Sequence, residues 1–149
     1  MLLAALMALA ISGCTSSPAE QGERESKAAA VPVFRLHMTK DLWERTKGPE
    51  GAVRTVEKPK SLKEEGNGML AIELTGPQMV DYLQTLDYNA HGGFSAHDAS
   101  LAAAVYNAAA TVIDRIESPP APDGPAPEIT VHAAAAATTP SGTVRPSGP

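Results

Sequence analysis

Asp87, His91, His97 and Asp98 are crowded into one short stretch, with Tyr88 and Phe94 beside them. Imidazole and carboxylate together are the donor set of a divalent transition metal such as zinc. Such a set would serve a small metal-dependent hydrolase. The spacing matches no standard metal motif, however, and each histidine has an ordinary setting. His97 falls in the first turn of an expected helix, and His91 lies beside Gly92 and Gly93 on a loop. Solvent-exposed loop histidines are the simpler reading. Asp87, His91, His97 and Asp98 are kept as the metal candidates, with no resident metal and no cofactor expected.

Other chemistry is absent from the sequence. It contains no Gly-rich phosphate loop, no HExxH, no paired-cysteine metal site and no GxSxG. Glu64 and Glu65 are adjacent, and adjacent side chains do not converge on one substrate, so a solvated surface is expected there. The residues therefore point away from an enzyme.

Several elements must position this stretch. Thr75-Gly76-Pro77-Gln78 fits a capping box with Pro in the first turn. Met79, Val80, Leu83 and Leu86 then form one apolar stripe, which predicts a helix over about 76–88. The adjacent Gly92 and Gly93 break it. Ser95 would cap a second helix over about 96–117, with Leu101, Val105, Ala108, Val112, Ile113 and Ile116 at helical spacing. Pro119 and Pro120 forbid continuation. A helical hairpin results, and its turn carries the candidate residues.

Upstream, Phe34, Leu36 and Met38 alternate with polar residues, which predicts a strand over about 33–38. Leu70, Ile72 and Leu74 predict another over about 69–74, after an Asn67-Gly68 turn. A third strand is expected near 52–57. Lys40 to Thr46 suggests a short helix carrying Trp43, and Lys58 to Gly66 reads as a charged loop. Trp43 is expected in the core rather than as a surface anchor. The fold class is thus small α+β, mainly helical, with two or three strands packed under the hairpin.

All six aromatic residues lie between residues 31 and 117. That places a single small folded domain there, 87 residues long by the numbering. Thr15 to Ala30 has no aromatic or large aliphatic side chain and reads as part of a flexible tether over 14–30. Residues 118–149 hold 8 of the 13 prolines and read as a disordered tail that adds little to stability.

Cys14 is the only cysteine. It ends the run Leu9-Ala10-Ile11-Ser12-Gly13-Cys14, which follows an uncharged apolar segment too short to span a bilayer. This resembles the lipobox of bacterial lipoproteins, in which an aliphatic residue stands three before the cysteine and two small residues follow it. The resemblance implies that residues 1–13 are a signal peptide. It implies that Cys14 is acylated, and that the chain is anchored in the cell membrane on the exported side. His91-Gly92-Gly93 is also similar to the HGG oxyanion loop of some esterases, but those need a serine elbow and a larger α/β sheet than this core can supply.

A net charge of −5 and the lack of a Lys/Arg cluster exclude nucleic acid as the expected partner. The reading that remains is a membrane-anchored cell-envelope lipoprotein that binds or scaffolds. Its partners are the membrane, through Cys14, and an envelope protein held by the hairpin turn at His91, Phe94 and His97. The alternatives are a metal-dependent hydrolase using Asp87 to Asp98, or an inhibitor or accessory subunit of an envelope enzyme.

Overall fold

The computed structural model describes residues 17–49, 55–56, 58–92 and 96–132. Cys14, Phe94 and Ser95 lie outside them, as does most of the expected strand at 52–57. The elements follow in the order α1 (Gln21–Ala29), β1 (Val33–Thr39), α2 (Lys40–Thr46), β2 (Ser61–Gly66), β3 (Met69–Thr75), α3 (Gly76–Ala90), α4 (Ala99–Asp114) and β4 (Glu128–Thr130). The four strands form one mixed sheet in the order β2-β3-β1-β4. Strands β1 and β3 are antiparallel, β2 and β3 form a hairpin, and β4 joins β1 in parallel. Helices hold roughly 44% of the described residues, so the fold is α+β with helix and sheet sharing it.

The two alternating segments are strands, as expected, and their register explains the alternation. Phe34 opposes Leu74, Leu36 opposes Ile72, and Met38 opposes Leu70, all on the face that the helices cover. The helix at α3 also forms as expected. Thr75 Oγ1 accepts from the Gln78 N–H at 3.4 Å, and Gln78 Oε1 accepts from the Thr75 N–H at 3.0 Å, closing the capping box. Met79, Leu83 and Leu86 are buried, and Tyr82 joins them in place of Val80, which is only partly covered. The short helix carrying Trp43 is α2, and Trp43 is in the core.

Four expectations need correction. Part of the supposed tether is helix α1, docked on α3 and α4. Its glutamates, lysine and alanines are good helix formers, and it needs few large apolar side chains because Ala28 packs at close range. Gly76 makes that approach possible: a Cβ there would fall 2.6 Å from the Val31 carbonyl oxygen and 2.7 Å from those of Ala28 and Ala29.

The supposed charged loop at 58–66 contains β2. It is an edge strand, and edge strands carry charge and bulges instead of an apolar alternation. Both are present: Glu64 faces the helix side at the rim, and the register shifts between Glu64 and Gly66. Asn67 (φ 52°) and Gly68 (φ 73°) supply the two positive φ angles of a tight hairpin turn. Thr55 and Val56 of the expected 52–57 strand belong to no strand.

The supposed tail contributes β4 to the sheet, with Ile129 and Val131 buried against the core. A three-residue strand is too short to show a period. Finally, α4 spans Ala99–Asp114 rather than 96–117. Asp98 precedes it in the left-handed region (φ 49°), which delays the first helical residue. The buried face of α4 runs through Ala102, Val105, Tyr106, Ala109 and Ile113. It is wider than the expected stripe because α3, the sheet and α1 all pack on it.

Candidate functional site

The end of α3 and the start of α4 carry the residues singled out from the sequence. Asp87 and His91 are one helical turn apart, and His91 Nδ1 lies 2.7 Å from Asp87 Oδ1. The Ser17 hydroxyl donates to the other carboxylate oxygen, Oδ2, at 2.5 Å. The His91 ring meets Tyr106 edge-on, with centroids 5.8 Å apart. Asp98 turns elsewhere. The Arg45 guanidinium grips it through two hydrogen bonds, at 2.8 and 3.0 Å. The His97 backbone N–H donates to Asn89 Oδ1 at 3.1 Å, which ties the two helix ends together.

The structure therefore pairs Asp87 with His91 and gives Asp98 to Arg45. The metal candidates do not converge. Among the described residues, no group of three His, Cys, Asp or Glu side chains could hold a metal ion. Phe94, the third expected partner-binding residue besides His91 and His97, lies outside the described residues.

The ion pairs shift protonation in one direction. Arg45 beside Asp98, and Arg24 beside Asp114, hold those carboxyls below their ordinary value of 3.8. A carboxyl depressed in the folded state stabilises the fold fully above its unfolded value, and that contribution disappears as pH falls through the folded one. The fold should thus lose stability from about pH 4 downward. Both carboxylates are more than a third exposed, which keeps the loss small. Urea midpoints measured against pH should fall over this range, and Arg24→Gln with Arg45→Gln should flatten the decline. An unchanged acid limb in the double variant would show that other carboxylates set it.

A second set of polar residues lies on the sheet face opposite the helices. Cross-strand register arranges it in two rows. One row runs Ser61, Glu73, Arg35, Glu128, and the next runs Lys63, Ala71, His37, Thr130. In the first, Arg35 bridges Glu73 at 3.1 Å and Glu128 at 3.4 Å. Arg35 is held above its ordinary value, chiefly by the hydrogen bond to Glu73. In the second, the small side chain of Ala71 leaves a gap between Lys63 and His37. A shallow groove of about 240 Å³ forms there, lined by Arg35, His37, Ser61, Lys63, Glu65 and Glu73 around Ala71. The β2 bulge brings Glu65 across to His37 Nδ1 at 2.8 Å, leaving Nε2 uncommitted to that contact. Lys63 has no ion pair among the described residues.

This groove offers an ammonium, an imidazole, hydroxyl and carboxylate groups on a rigid floor. It suits recognition of a polar ligand or a polar protein surface.

Sequence reasoning missed this face. The alternation of β1 already marks Arg35 and His37 as outward-facing. Their partners, however, sit in segments read as loop and tail. The Asn67-Gly68 turn was the available signal for a hairpin, but simple pairing about it puts Glu64 opposite Ala71; only the bulge between Glu64 and Gly66 moves Lys63 into that place. The chain matches no protein-family model, no curated protein and no solved structure.

Proposed function

We propose that the protein is a lipid-anchored cell-envelope binding module that presents the open face of its sheet to a partner. The observation that carries this reading is the Ala71-floored groove, built from two adjacent side-chain rows across three strands of the sheet while the other face is covered by helices. The anchor is Cys14, on the strength of the lipobox resemblance. Among the described residues no helix is long and apolar enough to cross a membrane.

The hydrolase alternative requires Asp87 and Asp98 to act together, and their commitment to His91 and Arg45 weighs against it. An inhibitor or accessory subunit would use the same open face, toward an envelope enzyme.

Two measurements test the reading. Cys14→Ala should move the chain from the membrane fraction to the soluble fraction, or leave it unprocessed. A photo-crosslinking amino acid at Lys63 should capture a specific envelope partner in cells, whereas the same group at Asp81, exposed on α3, should not. A native chain that carries no acyl group and fractionates as soluble would end the anchor reading. Equal capture from both positions would end the sheet-face reading.

A further inference from the structure

Few residues lie between Cys14 and the folded domain, which bears on how the domain can sit. Ser17 is already bonded to the end of α3, through its hydroxyl and Asp87. Behind Ser17, α1 is fixed to both long helices. The Arg24 guanidinium donates twice to Asp114, at 2.8 and 2.9 Å, and the Tyr106 hydroxyl donates to Gln21 Oε1. Ala28 is fully buried, and the last turn of α1 lies over Gly76. These contacts set the direction of α1. It starts beside Asp87 and ends beside Gly76, so it runs antiparallel to α3.

Only three residue steps separate Cys14 from Ser17. A chain spans at most about 11 Å over that length. A loose tether reaching to residue 30 would instead allow roughly 20 to 25 Å. The opposite end of α3, at Gly76, lies about 16 Å along the axis from Asp87 and so beyond this reach. Ser100 and Arg115, at the two ends of α4, are separated by about 22 Å along its axis.

We propose that acylated Cys14 seats the domain end-on against the bilayer, with the Asp87–His91 turn of α3 and the start of α4 facing the lipid headgroups. This rests on the anchor reading above. Charge is compatible with it: the acids at this end are engaged, Asp87 by Ser17 and His91 and Asp98 by Arg45, although Glu20 stays exposed. Paired carboxylates approach an anionic surface with less repulsion than free ones. His91, which the sequence offers as part of a protein-binding loop, then faces lipid. The open face of the sheet is left for the partner.

The test uses the full acylated chain in proteoliposomes of phosphatidylethanolamine and phosphatidylglycerol that contain a headgroup-linked quencher. Acylation consumes the Cys14 thiol, so an introduced cysteine is the only free one. A fluorophore is attached at Ser100→Cys or at Arg115→Cys, both exposed positions. The Ser100 label should be quenched several-fold more than the Arg115 label. Inserting about twelve Gly/Ser residues between Ser16 and Ser17 adds roughly 20 Å of reach and should remove the difference. Equal quenching in the uninserted, acylated chain would overturn the end-on seating and leave the anchor intact. A mass spectrum of the native chain without diacylglycerol on Cys14 would overturn the anchor reading, and the seating with it.

Discussion

Truncation after Glu117 should lower the free energy of unfolding by roughly 3 to 6 kcal/mol. The deleted segment contains β4, whose Ile129 is 1% exposed, and Val131, which is 2% exposed. Burying one such side chain contributes about 1.5 to 3 kcal/mol. The deletion also removes the backbone links between this segment and β1. These are Arg35 N–H to the Pro127 carbonyl at 3.0 Å, Val131 N–H to the His37 carbonyl at 2.9 Å, and the parallel ladder between them. A newly bare edge of β1 would follow, and bare edges promote association between chains. Urea unfolding followed by circular dichroism checks the expectation. A change below about 0.5 kcal/mol, the ordinary value for an unpacked segment, would show that β4 does not pack. Ile129→Ala isolates the side-chain part, at about 2 kcal/mol or more.

Trp43→Ala should cost about 3 to 5 kcal/mol, the usual range for removing a buried aromatic. Trp43 is 1% exposed and meets the Tyr82 ring with centroids 5.3 Å apart, tilted by 58°. Tyr82 is itself sealed in the core. Its hydroxyl lies 2.6 Å from Thr46 Oγ1, and the Thr46 hydroxyl donates its one proton to the Leu42 carbonyl at 2.7 Å. The phenol is therefore the donor to Thr46. Burial pushes its pKa well above the ordinary 10.0 and keeps the phenol protonated. Removing the indole leaves a void beside this polar pair, where neighbouring atoms cannot readily follow because α2 is only seven residues long and pinned at both ends. Circular dichroism thermal scans of the variant check the loss. A surface anchor would instead leave stability near that of the parent and weaken partner capture.

These two expectations mark where the sequence was informative and where it was not. Trp43 was legible as a core residue from its type and the scarcity of other aromatics. The β4 contribution was not, because Ile129 and Val131 stand among prolines and look like an unstructured run. Composition measures how much a segment can bury by itself. It does not measure what a neighbouring strand with a free edge can lend it. The same limit hid α1, whose one buried alanine is worth little until Gly76 lets two helices touch. It also hid β2, an edge strand whose charges are what an edge requires.

The candidate site divides in the same way. Residue types nominated Asp87, His91, His97 and Asp98 correctly as neighbours in sequence. Only the tertiary structure decided their partners, by bringing Ser17 to Asp87 over a separation of seventy residues and Arg45 to Asp98 over fifty-three. The groove on the sheet depends on three strands and a bulge meeting in one register, which no local window contains.

By itself, the sequence determined the local periods: two alternating strands, the capped α3, the Asn67-Gly68 turn and the break between the long helices. These follow from side-chain spacing and backbone preference, which act over a few residues. The tertiary structure alone decided the sheet order, the recruitment of α1 and β4 into the fold and the identity of the open polar face. Those depend on which surfaces remain uncovered once the periodic elements have packed, and that is a property of the assembled chain.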